Sequence, residues 1–308
     1  MSLLNLGIVG LSKGNGHPFS FSSIINGYSD KHLSESGWRI IYDYIKAQKK
    51  SSLGFKNVKI THAWTQNEKT TEKLCRACLI PEKAKNIHDL IGNVDAVIIA
   101  RDDYASHYPM AKLFLDEKIP IFVDKPLTIK LSELKKFSKY LKNGKLMSCS
   151  SLRYAAELDF LKEDISNYGE LKLIRGAVIN NWEQYGIHIL EGLLSSINLK
   201  PISIIPNESP HSSFLIKLES DVVFQIDCLG DVPKTFSIEV WGTKKRSRHE
   251  IIDNFTMFKR MLKSFTNSIM TDKPPIPAEE TINLIKLLIA GKIASEEKRE
   301  VYLKELVI

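Results

Sequence analysis

Residues 94–128, VDAVIIARDDYASHYPMAKLFLDEKIPIFVDKPLT, constrain the fold more than any other stretch of this chain. Two short apolar runs, Ala96–Ala100 and Ile119–Val123, flank a segment that reads as helix from near Ser106. Short runs without alternation fit strands covered on both faces, as in parallel sheets. The unit is therefore strand–helix–strand, and its second strand stops on Asp124-Lys125-Pro126. A lysine at the carboxyl end of a parallel strand lies where open α/β sheets bind ligands. Pro126 fixes the backbone just beyond it and removes a donor.

The rest of the first half repeats the pattern. Leu4–Val9 reads as the first strand, followed by a glycine-rich turn, and Val58–Trp64 as the second. Between them, residues 19–56 read as a long insert with a helix over Ser34–Lys49. Glu68–Cys78 and Ile80–Lys85 read as helical or partly so, His88–Ile91 as a short helix, Ser132–Leu141 as a helix and Leu146–Ser150 as a buried strand. Repeated strand–helix alternation predicts an α/β domain with a doubly wound parallel sheet over residues 1–150.

The second half changes character. Leu171–Val178, Ile202–Ile205, Ser213–Leu218, Val222–Cys228 and Phe236–Trp241 come as a run of strands, several alternating apolar with polar residues. That predicts an α+β domain over 151–308 whose open, mostly antiparallel sheet has one covered face. Two helices, Asn254–Met270 and Ala278–Ser295, close the chain around Pro274, Pro275 and Pro277.

Composition narrows the function classes. Of 308 residues, 43% are hydrophobic and 26% charged, which suits a globular protein. The net charge of +7 comes from scattered lysines, and the densest run, Lys244–Arg248, is short, so it reads as solvated surface and nucleic acid is not expected as a partner. No apolar run approaches the roughly 20 residues of a membrane helix. The N-terminus lacks a basic n-region and reads as a strand rather than a signal peptide. Cys75, Cys78, Cys149 and Cys228 give no disulfide framework. The Cys75–Cys78 pair has no second pair or histidine at ligand spacing, so no metal is expected, and reduced thiols fit a cytoplasm.

The glycine turn runs Gly10-Leu11-Ser12-Lys13-Gly14-Asn15-Gly16-His17-Pro18. A dinucleotide fold needs glycine here for a tight turn and for close approach to pyrophosphate. Gly10 fits the first position, Ser12 replaces the second glycine, and Gly14 and Gly16 widen the loop. The turn reads either as a dinucleotide cradle, with Gly10, Ser12 and Gly14 as contacts, or as a glycine loop without cofactor. His17 reads as a phosphate contact or as structural. At the end of the second strand Thr65 and Gln66 replace the acid usual in NAD enzymes. Either NAD or NADP is open, with NADP slightly favoured. Ala100 and Arg101, at the end of the next strand, are further cofactor candidates, as are Asp124, Lys125 and Pro126.

In the second half, Asn181–Glu191 begins a helix. Gln184 and His188 are four apart and are expected on one face, with Tyr185 beside it. His188 reads as an acid, base or hydrogen-bond donor, or as a structural histidine.

Taken together, these pieces resemble the Gfo/Idh/MocA oxidoreductase family. Val123-Asp124-Lys125-Pro126 is similar to its E-K-P, Arg153-Tyr154 to its R-[YF] step, Gly186-Ile187-His188 to the end of its D-x-G-x-H, and Glu239–Thr243 to its glycine-ended strand. The resemblance covers nearly the whole chain. It implies a Rossmann domain, a second domain whose sheet mediates homodimers or homotetramers, and NAD(P)-dependent oxidation or reduction at a hydroxyl carbon of a sugar, cyclitol or sugar nucleotide. Lys125 and His188 map onto its catalytic lysine and histidine. Arg153, Gln184 and Tyr185 are then candidates for binding substrate, Arg153 through an anionic group. Gln184 stands where the family has aspartate, and Ser12 interrupts the glycine pattern. A non-catalytic dinucleotide- or sugar-binding protein is therefore the alternative, and reduction of a C=N or enone a third possibility.

Overall fold

The computed structural model describes residues 3–197 and 199–308. The chain divides into two compact units. The first comprises Met1–Asp124, Lys139–Ser148 and Phe258–Ile276, the second Lys125–Ser138, Cys149–Met257 and Pro277–Ile308.

The first unit holds a six-stranded sheet built from β1 (Leu4–Gly10), β2 (Val58–Thr65), β3 (Glu82–Lys83), β4 (Ala96–Ile99), β5 (Ile121–Val123) and β6 (Leu146–Met147). The order is β3-β2-β1-β4-β5-β6 and every pairing is parallel. This is the doubly wound order that places ligands at the carboxyl ends of β1 and β4, where the strand order reverses. β4 and β5 are wholly buried, as their unbroken apolar runs require.

Three local expectations are corrected. Residues 19–56 are not one insert, because α1 (His17–Asn26) is the first helix of the fold, followed by α2 (Asp30–Ser34) and α3 (Arg39–Lys46). α1 escaped notice because Pro18–Ile25 are all buried, so the helix carries no polar stripe to reveal its period. Pro18 starts it with a pre-set φ. Ile80–Lys85 is not helical: after α4 (Glu68–Ala77), Leu79 adopts φ +55° and the chain turns into β3 alongside β2. The strand at Leu146 ends at Met147.

The remaining helix of this unit's β-α-β repeat is α5 (His107–Asp116) between β4 and β5; α6 (Leu131–Lys142) precedes β6. Aromatic packing closes the core: Phe265 lies 5.9 Å from Phe122, and Phe258 lies 5.3 Å from Phe21.

The second unit holds a seven-stranded mixed sheet. Its strands are β7 (Leu171–Val178), β8 (Pro201–Pro206), β9 (Ser212–Leu218), β10 (Val223–Cys228), β11 (Phe236–Gly242), β12 (Arg246–Glu250) and β13 (Val301–Tyr302), in the order β12-β11-β7-β10-β9-β8-β13. All pairings are antiparallel except β7 with β10. The charge run at Lys244–Arg248 enters β12 and is solvated there, with Lys244, Arg246 and Arg248 exposed. β12 is an edge strand, where charged side chains are tolerated and discourage further pairing. One face of the sheet is apolar, with Ile174, Phe214, Phe224, Ile226, Ile238 and Val240 buried. The helices of the unit are α7 (Asp159–Asp164), α8 (Ile187–Leu194) and α10 (Ala278–Glu297); α9 (Asn254–Thr271) leads out of it.

A π-helical turn, Trp182–Gly186, leads into α8. Trp182 anchors it. The indole is 3% exposed, its Nε1–H donates to the Leu288 carbonyl of α10 at 2.8 Å, and its ring lies 4.3 Å from Phe214. Glycines make room for it: a Cβ on Gly186 or on Gly291 would sit 2.5 Å from the indole. Gly291→Ala should therefore destabilise the protein by about 1–3 kcal/mol through overpacking, against the ~1 kcal/mol that alanine gains in helix propensity. A fall in the urea midpoint at unchanged m would show it, and an unchanged or higher midpoint would refute it.

Candidate functional site

In the first unit the glycine loop is held by its own neighbours. A Cβ on Gly10 would meet Pro18 at 2.4 Å, so this glycine is needed for β1 to pass α1. Gly14 has φ +81°, the left-handed region that glycine enters at no steric cost. The Leu11 N–H donates to Gln66 Oε1 at 2.9 Å, and Gln66 Nε2 donates back to the Leu11 carbonyl. Arg101 Nη1 bonds both that carbonyl, at 3.1 Å, and Gln66 Oε1, at 3.0 Å. The rest of its guanidinium grips Asp103 and Ser106. Burial pushes Asp103 up, but the Arg101 guanidinium outweighs it and holds the carboxyl below the usual carboxylate range. Ser12 Oγ donates to Asp102 Oδ1 at 2.5 Å and accepts from the Asp102 N–H at 3.1 Å.

This arrangement leaves a short run of loop donors. Among the described residues the backbone N–H groups of Ser12, Lys13, Gly14 and Gly16 make no hydrogen bond, and Lys13 is exposed beside them. Four N–H groups and an ammonium suit a diphosphate. The first turn of α1 offers less, because the His17 N–H donates to Asn15 Oδ1, Pro18 has none, and the Phe19 and Ser20 N–H groups bond the Gly16 carbonyl.

Asp124 ends β5 with a buried carboxylate, 3% exposed at the side chain. It accepts from Asn15 Nδ2 at 3.2 Å and from His17 Nδ1, so the loop is clamped to the strand end. The His17 ring stacks on Phe21 at 4.9 Å. Thr65 Oγ1 bonds Thr71 and the Asn67 carbonyl, closing the turn from β2 into α4, and Ala100 is fully buried.

In the second unit, Lys125, Tyr185 and His188 come together. The Lys125 ammonium lies 4.8 Å from the Tyr185 ring centroid, and Lys125 is 5% exposed. An ammonium so placed is attracted by the ring quadrupole. The Tyr185 and His188 rings are 5.1 Å apart, edge to face. The Lys125–Pro126 peptide is cis. Gln184 is not brought to this group. The π-helical turn breaks the four-residue spacing, so Gln184 is exposed while His188 is buried, and its N–H bonds Asn181 Oδ1 at 3.0 Å.

Two residues that the sequence did not single out join the cluster. Ser150 Oγ lies 2.7 Å from His188 Nδ1, and Phe236 meets His188 edge-on at 5.3 Å. Lys234 sits 6.0 Å from the Phe236 ring, and burial lowers its pKa. Ser150 is 38 residues from His188, beyond any local pattern, and Phe236 looked like an ordinary strand residue.

Among the described residues no three His, Cys, Asp or Glu side chains gather as a metal site, and no helix is long and apolar enough to cross a membrane. Burial pushes the thiols of Cys78 and Cys228 up to about 12 and that of Cys75 up to about 11, so they stay protonated near neutrality.

Residues 37–150 match the model of an oxidoreductase family with an NAD-binding Rossmann fold, Gfo/Idh/MocA. No curated protein matches the chain by sequence. Solved structures with the same fold include the Lactobacillus casei scyllo-inositol dehydrogenase with bound NAD(H) and scyllo-inositol, at 16% identity and TM-score 0.75, covering 98% of this chain and 100% of that one. Myo-inositol 2-dehydrogenase from Lactobacillus plantarum gives 16% identity and TM-score 0.71, covering 98% and 99%. Myo-inositol dehydrogenase from Lactobacillus casei, in complex with NAD(H) and myo-inositol, gives 13% and 0.73, covering 97% and 96%.

The step similar to the Gfo/Idh/MocA R-[YF] pair is not an open anion site here. Arg153 pairs through Nε with Glu191, and through Nη2 with Glu280 at 2.9 Å, so its charge is already met. Glu191 is 2% exposed, and burial pushes its carboxyl up despite Arg153. Removing the guanidinium leaves a buried carboxylate without its cation, so Arg153→Met should cost about 3–5 kcal/mol. In that variant Glu191 binds its proton more tightly folded than unfolded. Stability should therefore fall as pH rises from the unfolded carboxylate pKa toward the raised folded one. Urea melts over that range check both, and a pH-independent loss would refute the second.

Proposed function

We propose that this protein is an NAD-dependent oxidoreductase that moves a hydride to or from a hydroxyl-bearing carbon of a sugar- or cyclitol-like molecule. The observation that carries it is the buried Lys125 ammonium against Tyr185 with His188 beside the same ring, on a lysine two residues beyond β5 of a doubly wound sheet. The NAD-binding family match and the inositol dehydrogenases of the same fold support it.

The dinucleotide would lie along the main chain of residues 12–16, with Gly10 and Gly14 shaping the loop and Lys13 facing its charge. Thr65, Gln66, Ala100 and Arg101 would border it, and Asp124 with Pro126 would hold the strand end. Its nicotinamide would supply the hydride acceptor or donor. NAD suits this loop better than NADP, because Arg101 commits four of its five donors to Asp103, Leu11 and Gln66 and keeps no two-donor fork for a 2′-phosphate. Lys125 would exchange a proton with the substrate oxygen, His188 would bond that oxygen, and Tyr185 would orient both. Arg153 would act by holding Glu191, and the exposed Gln184 would contact a substrate group remote from the reacting carbon. The polar face of the second sheet, with Arg175, Gln225, Asp227 and Glu239, would form a homodimer or homotetramer contact.

A second reading, a dinucleotide or sugar sensor without turnover, is favoured by Gln66 occupying the Leu11 N–H and by Asp102 on Ser12. Calorimetry with NAD(H) and NADP(H), followed by turnover on inositols and aldoses, separates the two. For the enzyme, Lys125→Ala should lower kcat by about 10²–10⁴-fold, the usual worth of a positioned acid–base group, with NAD(H) binding still measurable. Unchanged hydride transfer would sink the assignment of Lys125. Binding without turnover in the wild type would favour the sensor.

A further inference from the structure

We propose that Ser150 locks His188 as the neutral imidazole protonated on Nε2, so that His188 serves the substrate oxygen as a hydrogen-bond donor and Lys125 alone carries the reacting proton. This rests on the oxidoreductase reading for its chemistry but on the Ser150 geometry for its substance.

The argument is a count of protons and acceptors. A serine hydroxyl has one proton and two lone pairs. Ser150 is fully buried, so its hydroxyl has no water to satisfy it. One lone pair accepts the Leu152 N–H at 3.1 Å. Among the described residues its other neighbour in hydrogen-bond range is His188 Nδ1, at 2.7 Å. If Nδ1 carried a proton, Ser150 would have to accept it, and the hydroxyl proton would be stranded in the interior. A buried donor without an acceptor costs as much as a lost hydrogen bond or more. The low-cost arrangement sends the hydroxyl proton to Nδ1 and leaves the ring proton on Nε2. Imidazolium is disfavoured for the same reason, since it too needs a proton on Nδ1.

A carboxylate partner would do the reverse. It accepts only, so it draws the proton to Nδ1 and leaves Nε2 as a base. A neutral imidazole that donates from one nitrogen is a recognised electrophile in enzyme sites. Here the proton then passes between the substrate oxygen and Lys125 Nζ, and His188 keeps its own.

Ser150 is a positioning residue in this scheme, and its main chain is fixed in turn, since its carbonyl accepts the Arg153 N–H at 3.3 Å. The Tyr185 and Phe236 rings also face His188, and neither accepts a proton from Nδ1.

Nitrogen-15 NMR of histidine-labelled full-length protein, with His188→Gln as the assignment control, reads the tautomer directly. The expected spectrum has Nε2 protonated and Nδ1 bare at neutral pH. A proton on Nδ1, or an imidazolium, overturns the proposal whatever the activity. Ser150→Ala should lose the single tautomer, and Ser150→Thr should restore it. The kinetic arm uses myo- and scyllo-inositol with NAD. His188→Gln, which keeps an N–H donor, should lose about ten-fold in kcat, the worth of a weakened hydrogen bond. His188→Leu should lose more than about 100-fold. Equal losses in both variants would mean that the imidazole carries the proton, and the proposal falls. If the Nε2 tautomer is found but no inositol or aldose is turned over, the Ser150 assignment stands and the oxidoreductase reading falls.

Discussion

The second unit is organised around one indole. Trp182 has to bury a large ring and satisfy an N–H at once, and few positions allow both. It does so by reaching the Leu288 carbonyl, and the space it needs forces glycine at 186 and 291. Those constraints place the π-helical turn, and the turn decides which side chains face inward. Tyr185 and His188 meet as rings because Trp182 fixes the backbone that carries them.

The first unit solves a different problem. Its loop departs from the regular glycine pattern, and polar side chains replace what glycines would leave open. Gln66, Arg101, Asp102 and Asp124 each take a bond from or to the loop. The loop's shape is thereby set before any ligand arrives, which lowers the ordering cost of binding. The three carboxylates beside the loop are each engaged, Asp103 by Arg101, Asp102 by Ser12 and Asp124 by Asn15 and His17. Local compensation of this kind limits their repulsion of an anion.

Much of this was legible in the residues. The strand–helix–strand unit around Lys125 was readable because buried parallel strands are uniformly apolar and their turns are not. The alternation of the later strands announced an antiparallel sheet with one open face. Other features leave no local trace. α1 is surrounded by protein, so HPFSFSSIIN lacks the polar face that marks a surface helix. β12 is RSRHE, whose charges suit an edge but look like a loop. The Gln184–His188 spacing points to one face only at ordinary helical pitch, and the turn that carries Gln184 is π-helical. Ser150 beside His188 and the two carboxylates on Arg153 depend on long-range packing that periodicity cannot express.

The run of contacts from Glu280 and Glu191 through Arg153 to Ser150 has a consequence for how lesions in this protein would be scored. A change at Arg153 would disturb the two carboxylates first, and then the turn whose Ser150 lies against His188. A loss on changing Arg153 would report first on this buried charge pair, which works as the footing of the turn that carries the Ser150–His188 hydrogen bond.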